Sequence, residues 1–114
     1  MKHLKLVINN ETSEKKDFFF NKNELKLILN LYAKMVSGGE WKDYSLSINK
    51  KEVSFNVYRN ASEVPAYIIT KNLKLKNQNE KYLIKDSQNK IINKSENLEN
   101  LIKKIIWRNF KLVN

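Results

Sequence analysis

Three carboxylates are the side chains with the clearest capacity for chemistry. Glu40 and Asp43 flank a turn that begins with two adjacent glycines, and Glu63 lies in a loop before Pro65. If the two loops meet, these groups could bind a divalent cation or share acid–base work. Carboxylates near turns more often accept backbone N–H groups or pair with a cation, so a structural role is favoured. The chain has no cysteine and His3 is its only histidine, so we expect no metal site, no cofactor and no catalytic residue.

A second candidate group surrounds Arg59, one of only two arginines in the chain. Ser62, Glu63 and Tyr67 follow it closely. The planar guanidinium can form a bidentate pair with a carboxylate, which lysine imitates poorly. An internal pair with one of the three carboxylates would hold the two loops together, whereas an external carboxylate or phosphate would make Arg59 a binding anchor. The internal pair is favoured.

Aromatic residues in the glycine turn predict either a recognition surface or a corner of the core. With neighbouring lysines, the two aromatic residues of this turn and two later tyrosines could form a stacking platform for single-stranded nucleic acid, made of Trp41, Tyr44, Tyr58 and Tyr67. The lysines that would contact the nucleic acid are Lys42, Lys71, Lys74 and Lys76. Large aromatic side chains belong to the core more often than to such platforms, so burial of Trp41 is favoured.

The composition narrows the classes of function. The formal net charge is +10, from 22 lysine and arginine residues against 12 aspartate and glutamate residues. Such an excess attracts polyanions. Nearly all of these cations are lysine, however, and asparagine and isoleucine are also abundant, as expected of an A/T-rich genome, so a polyanion partner is less favoured. No apolar run could span a bilayer and no signal-peptide core follows the basic start, which makes the cytoplasm the expected location.

The apolar pattern predicts a first helix over residues 22–37. Asn21 and Glu24 are spaced as a capping box, and Gly38 is placed to end the helix in the left-handed conformation. Apolar side chains make up most of the surface of this helix. Most of that surface must therefore be shielded from water by packing. Burial against the protein's own sheet and C-terminal helix is favoured, and contact with a protein partner or a second copy is the alternative.

Alternating apolar and polar residues predict antiparallel strands. One hairpin joins residues 44–48 to 53–57, a further strand covers 66–70, and a second hairpin joins 81–85 to 90–93. Ser95 is placed to cap a closing helix over about 96–109. The predicted fold is one α+β domain over residues 1–114, in which a meander of about four to five antiparallel strands is flanked by the two helices. Residues 1–17 would add a strand and a loop.

Three blocks of residues between Phe20 and about Ile105 occur in a specific order. They are Glu24-Leu25 through Leu31-Tyr32 with Met35-Val36; Gly39-Glu40-Trp41 with Asp43-Tyr44; and Phe55, Val57, Arg59, Ser62-Glu63, Pro65 and Tyr67. In these blocks the chain resembles a small family of uncharacterised single-domain proteins typical of alphaproteobacteria. It departs from the family pattern at Ala33, where glycine is usual, and at Lys34 and Lys42, where arginine is usual. The resemblance implies a single bacterial, cytoplasmic domain and no established activity.

Together these observations favour a small soluble, non-enzymatic binding or accessory module that acts through protein contacts. Binding of RNA or DNA through a basic, aromatic surface is the first alternative, and a small carboxylate-based enzyme or metal-binding protein is the second. The predicted binding or structural corner consists of Glu40, Trp41, Asp43, Tyr44, Arg59, Ser62, Glu63 and Tyr67. The apolar first helix is the predicted surface for a protein partner or for self-association, and no membrane contact is expected.

Overall fold

The computed structural model describes residues 19–60, 64–74 and 78–113, with side chains described up to residue 105. Its main elements are α1 (Lys22–Ser37), β1 (Asp43–Ile48), β2 (Glu52–Tyr58), β3 (Tyr67–Asn72), β4 (Tyr82–Asp86), β5 (Ile91–Ser95) and α2 (Leu98–Val113), with a short 3-10 helix (Gln78–Glu80) before β4. The strands form one antiparallel sheet in the order β1-β2-β3-β4-β5. The predicted α+β class and the meander of hairpins are therefore confirmed. The strand and loop predicted for residues 1–17 lie outside the described residues.

Helix α1 begins with the predicted capping box. The side chain of Asn21 accepts a hydrogen bond from the Glu24 backbone N–H at 2.8 Å, and Glu24 Oε1 accepts one from the Asn21 backbone N–H at 2.7 Å. The two residues thus satisfy N–H groups that have no partner inside the helix. Only 6% of the Glu24 surface is exposed, so the cap also brings a carboxylate into the interior.

Helix α1 ends at Ser37 as predicted, but its left-handed residue is Gly39 and not Gly38. Gly38 has a φ of −84° and its N–H donates to the Lys34 carbonyl at 3.1 Å, so it continues the last turn of the helix. Gly39 has a φ of +79° and its N–H donates to the Val36 carbonyl at 3.0 Å. The reversal of the chain needs one residue with positive φ, and it falls on the second glycine because the N–H of the first still bonds to the last turn of the helix.

One face of the sheet carries the hydrophobic core, and both helices pack on it. The strand register aligns Leu46, Phe55, Ile69 and Ile84 in a row across β1 to β4. Helix α1 lies over β1 and β2, where the ring of Tyr32 contacts Phe55, while α2 lies against β4 and β5. The central face of α1 is buried through Ile28, Leu31 and Met35, so burial within the chain is confirmed for that face. No helix in the described ranges has the length and apolarity needed to cross a membrane.

The opposite face of the sheet carries a hydrogen-bonded group of small polar side chains. Asn56 Nδ2 donates to Ser45 Oγ at 3.1 Å and to Ser47 Oγ at 3.0 Å, and the hydroxyls of Ser54 and Thr70 lie 3.2 Å apart. Asn56, Ser54 and Thr70 are buried. Their hydrogen bonds satisfy polar groups that would otherwise destabilise the sheet.

Helix α2 is capped by Asn97, so the predicted cap at Ser95 was wrong. Asn97 Oδ1 accepts a hydrogen bond from the Asn100 backbone N–H at 3.0 Å, and the Asn97 carbonyl accepts the first helical bond from Leu101 at 3.1 Å. Ser95 is the last residue of β5, and its hydroxyl accepts the Asn97 N–H at 3.0 Å. Serine and asparagine both favour the cap position. Because β5 extends to Ser95, the helix begins after Asn97.

Candidate functional site

Trp41 lies in the core at the end of α1, as the favoured interpretation of the glycine turn required. Only 1% of its surface is exposed, and its ring lies between those of Tyr32 and Tyr67, at centroid distances of 6.3 Å and 6.5 Å. Its Nε1 has no hydrogen-bond partner among the described residues. An unpaired buried N–H destabilises a fold by about 1–3 kcal/mol, which the apolar burial of the large ring offsets. Trp41 therefore cannot stack on a nucleic-acid base in this conformation.

Tyr44 is also a packing residue. Its ring stacks on Phe55 with a centroid distance of 4.7 Å and an interplanar angle of 9°, and it meets Tyr32 edge-on at 4.9 Å. Burial raises the pKa of both tyrosines, and the nearby charge of Asp43 raises each pKa further. The aromatic residues of the corner thus fasten the end of α1 to β1 and β2.

Of the corner's carboxylates, Asp43 is the one that the structure shows bonded to the backbone. Asp43 is exposed, and its Oδ1 accepts the Tyr44 backbone N–H at 2.8 Å. Glu40 is half-buried, while Ser62 and Glu63 lie outside the described residues. Within the described ranges, no three aspartate, glutamate or histidine side chains lie close enough to hold a metal ion. The meeting of Glu63 with the other two carboxylates remains a prediction.

Arg59 pairs with an aromatic ring. Its guanidinium carbon lies 5.6 Å from the centroid of the Tyr67 ring, and its Nη2 donates to the Tyr67 hydroxyl at 3.4 Å. The predicted pair with Glu40 or Asp43 is absent from the ion pairs of the described residues. The register explains the observed contact, because Tyr67 lies opposite Val57, two residues before Arg59.

Lys71 does not lie on a nucleic-acid surface, contrary to the prediction. Only 8% of its surface is exposed, and its Nζ donates to Glu24 Oε1 at 2.9 Å and to the Phe19 carbonyl at 3.0 Å. Side chains alternate along a strand, so Lys71 shares the core face with Ile69. Of the other predicted lysines, Lys42 and Lys74 are exposed and Lys76 lies outside the described residues.

Glu24, Lys71 and Tyr82 form a buried polar network that sequence reasoning missed. The hydroxyl of Tyr82 donates to Glu24 Oε2, and the register places Tyr82 opposite Lys71 on the neighbouring strand. The three residues are between 5% and 8% exposed, so the network is almost closed to solvent. It joins the start of α1 to β3 and β4. The sequence did contain one signal for this network. Alternation along the strand places Lys71 on the core face, and a buried ammonium group requires an acidic partner.

The network fixes the protonation states of its members. Burial alone would raise the pKa of Glu24, but hydrogen bonds from Tyr82, Lys71 and the Asn21 backbone, together with the charge of Lys71, hold that pKa below its ordinary value. Burial, then the hydrogen bond to Glu24 and its negative charge, raises the pKa of Tyr82 well above its ordinary value. At neutral pH, Glu24 is thus an ionised carboxylate and Tyr82 a neutral hydrogen-bond donor. This arrangement fits a structural role, in which the network holds the start of α1 against β3 and β4.

The surface that remains partly open lies where α1 meets β1. Leu25, Leu29, Tyr32 and Val36 recur at i, i+4, i+7 and i+11 on one flank of the helix, and the contact of Tyr32 with Tyr44 shows that this flank faces β1. Val36 is 41% exposed and Ile48, at the end of β1, is 52% exposed. We call this the β1 edge surface; it consists of Leu25, Leu29, Val36, Leu46 and Ile48.

The backbone of β1 also offers hydrogen-bonding groups along this edge. Asn49 N–H donates to the Glu52 carbonyl at 3.0 Å, and bonded pairs recur at every second residue of an antiparallel ladder. The backbone N–H and C=O groups of Tyr44, Leu46 and Ile48 therefore point away from β2. The Tyr44 N–H donates to the side chain of Asp43.

The two outer strands of the described sheet differ in their protection. Strand β5 contains Lys94, has a register shift opposite Ile84 and Lys85, and lies against α2. Strand β1 has no charge after Asp43, no proline and no bulge. Charges, bulges and covering elements are the usual means by which proteins prevent edge pairing, so among the described strands β1 is the outer strand with the least protection.

Comparison with known proteins assigns the chain to a family without assigning an activity. No curated protein and no solved structure matches the chain. Residues 18–102 match the model of a family described as a protein of unknown function, DUF2794. This span includes α1, all five described strands and the start of α2. The predicted membership of an uncharacterised family is confirmed, whereas the alphaproteobacterial origin remains a prediction. The chain belongs to the DUF2794 family of proteins of unknown function.

Proposed function

We propose that this protein is a non-enzymatic binding module that recognises another protein through the β1 edge surface. The observation that carries the proposal is the combination of an unprotected outer strand with a half-exposed apolar helix flank beside it. Such an edge can accept a further β-strand, with main-chain hydrogen bonds supplying affinity and side-chain contacts supplying specificity.

The apolar side chains support a protein partner over a polyanion. Leu29 on α1 and Leu46 on β1 are partly buried against the core, whereas Val36 and Ile48 are exposed, so a partner side chain at this edge would bury apolar surface. A nucleic acid would offer phosphates there, which gain little from such residues. The predicted nucleic-acid surface also loses two of its members, because Trp41 and Lys71 are buried.

Site-specific photocross-linking in cells of the native host tests the proposal. A photoreactive amino acid replaces Ile48 in one variant and Ile91 in the other, because the two isoleucines are similarly exposed, at 52% and 46%, and lie on opposite outer strands. We expect discrete protein adducts, resistant to nuclease, from position 48 and few or none from position 91.

Two results would contradict the proposal. Equal adduct yields at the two positions would mean that the β1 edge surface has no preference for protein partners. Adducts that disappear after nuclease treatment would assign the contact to nucleic acid instead.

A further inference from the structure

We propose that the partner of the β1 edge surface is an extended segment of another protein whose acidic residues lie beside Lys22, Lys50 and Lys51. This inference rests on the proposed function, because it uses the same surface and names the chemistry of its occupant. The observation that carries it is the uneven charge along the edge. We call the three lysines the basic end; the other end of β1 carries charges of both signs.

The turn after β1 supplies the strand side of the basic end. Lys50 and Lys51 are adjacent in sequence and both are exposed. The side chain of Asn49 accepts the Lys51 backbone N–H at 2.7 Å, and the Lys51 carbonyl accepts the Leu73 N–H at 2.8 Å. The backbone of the turn is therefore held directly after Ile48, and two ammonium groups extend from the end of the open edge.

The start of α1 supplies the helix side of the basic end. Lys22 is exposed and precedes Leu25 by three residues, so it continues the helix flank that faces β1. Glu24 bonds to Lys71, and the strand register aligns Lys71 with Ile48 across β2. The first turn of α1 therefore lies at the end of the sheet where β1 finishes, which places Lys22 at the same end as the turn.

The two acidic residues next to these lysines in sequence leave the positive charge in place. Glu24 is buried, and its charge is compensated by Lys71 inside the protein. Glu52 is half-buried, and alternation along β2 places it on the polar face of the sheet, opposite the helices. The ion pairs of the described residues include none of the three lysines of the basic end. These lysines are therefore available to carboxylates of a partner.

The opposite end of β1 does not attract acidic residues in the same way. Lys42 and Asp43 are both exposed, and Glu40 is half-buried just before them. An acidic residue there would meet two carboxylates and one ammonium group, so it would gain little. The difference between the two ends predicts that the acidic residues of the bound segment lie beside the end of β1, whichever direction the segment takes.

The charges also distinguish this partner from two other occupants. A second copy of this chain would bring either its own basic end or the pair Lys42 and Asp43 to the basic end, and neither supplies net negative charge. A nucleic acid supplies negative charge but no apolar side chains to cover Val36 and Ile48, the most exposed members of the surface. An apolar strand with acidic residues at one end complements both features of the edge.

Charge reversal tests the inference within the photocross-linking experiment at position 48. One variant carries Lys50→Glu and Lys51→Glu. The control carries Lys90→Glu and Lys103→Glu, which change the net charge equally at exposed positions before β5 and on α2. We expect the yield of protein adducts to fall about tenfold or more in the first variant and to stay within about twofold in the control. Equal yields in the two variants would overturn the inference.

Mass spectrometry of the adducts identifies the chemistry of the partner. We expect the cross-linked segment to carry at least two aspartate or glutamate residues within about four positions on one side of the cross-link, a distance that reaches the basic end. Segments without such acidic residues would overturn the inference and leave the proposed function standing, as would adducts that consist of two copies of this chain. A lack of nuclease-resistant adducts at position 48 would refute both proposals.

Synthetic peptides test the charge preference with the purified chain and need no variant. Each peptide alternates valine and threonine, and it carries three glutamates or three lysines at its N-terminus or its C-terminus. Nuclear magnetic resonance titration follows the amide signals of Leu46 and Ile48. We expect one glutamate peptide to bind about tenfold more tightly than its lysine counterpart, with a smaller difference at about 0.5 M salt. Equal affinities, or no shift of these amides with any peptide, would overturn the inference.

Discussion

At the scale of single residues, the buried ion pair of Glu24 and Lys71 has the strongest energetic consequences. Their charged atoms lie 2.9 Å apart, and the side chains are 9% and 10% exposed, respectively. A buried pair contributes little more than well-packed apolar residues would, but removal of one partner leaves the other charge uncompensated in the interior. The hydrogen bonds from Lys71 to the Phe19 carbonyl and from Tyr82 to Glu24 make each member dependent on the others.

The Lys71→Met variant should lower the free energy of unfolding by about 3–5 kcal/mol, because Glu24 would then be a buried charge without a cation. Urea denaturation followed by tryptophan fluorescence measures the change. The matched control is Lys74→Met, an exposed lysine three residues away, for which we expect a change within about 0.5 kcal/mol. The double variant Glu24→Gln, Lys71→Met should be more stable than Lys71→Met alone. A double variant no more stable than the single one would show that charge burial is not the cause.

The Arg59→Lys variant should have a small effect on stability, below about 1 kcal/mol. Arg59 is exposed and its described partner is the ring and hydroxyl of Tyr67, so the change weakens a surface cation–π contact and one long hydrogen bond. Thermal unfolding of the variant and of Lys42→Arg, a reverse exchange at another exposed position, gives the comparison. A loss of several kcal/mol would reveal a buried carboxylate partner of Arg59, as the sequence originally suggested.

At the scale of elements, the connection between α1 and β1 depends on the second of its two glycines. Gly38 has a helical φ, and a Cβ there would lie 3.7 Å from the Lys34 carbonyl oxygen, which is an ordinary contact. Gly39 has a φ of +79° and open space around it, so only its backbone conformation restricts substitution. Trp41 enters the core two residues later, which ties the direction of β1 to this one dihedral angle.

The two glycines therefore predict opposite results. Gly39→Ala should destabilise the protein by about 1–2 kcal/mol, because an L-residue with a side chain disfavours the left-handed region. Gly38→Ala should be neutral or stabilising by up to about 1 kcal/mol, since alanine reduces the freedom of the unfolded chain at no steric cost. Urea denaturation of both variants measures the difference, and Gly39→Asn should recover part of the loss. Equal effects of the two alanine substitutions would contradict this account.

At the scale of the whole molecule, the buried titratable groups set the pH range in which the fold is stable. The pKa of Glu24 is lower in the folded than in the unfolded chain, so the folded state favours the carboxylate. This contribution is complete above the ordinary glutamate pKa of about 4.3 and is lost as the pH falls through the lower folded value. The pKa of Tyr82 is raised instead, so its contribution is complete below about pH 10 and is lost as the pH rises above that.

Stability measured between about pH 2 and pH 11 should therefore be highest in the middle of the range and fall at both ends. The Glu24→Gln variant should have a flatter acid limb, because the group that takes up the proton is gone. The Tyr82→Phe variant should be less stable at neutral pH by about 1.5–3 kcal/mol, since Glu24 loses a charged hydrogen bond. It should also have a shallower alkaline limb, with the remaining slope assigned to Tyr32 and Tyr44, whose pKa values are also raised. An acid limb unchanged by Glu24→Gln would assign the acid sensitivity to other carboxylates.

The sequence by itself determined the features that depend on near neighbours along the chain. Asn21 and Glu24 predicted the start of α1 because a capping box involves only residues within one helical turn. Alternation of apolar and polar residues predicted the strands and hairpins because it reflects which side of a strand is covered. The burial of Trp41 was favoured for the same kind of reason, since a large aromatic gains most from the core. These local signals sufficed for the α+β class and the order of its elements.

Only the tertiary structure decided which distant residues meet. Lys71 lies 47 positions after Glu24, and although alternation along β3 places Lys71 on the core face, nothing near it in sequence indicates which acid is its partner. Arg59 contacts Tyr67 because the register of β2 and β3 brings the two residues together. The open edge of β1 likewise follows from the order of strands in the sheet, which no single strand encodes. The physical reason is common to all three cases: local sequence fixes backbone conformation over a few residues, whereas partners, burial and exposed edges depend on how complete elements pack.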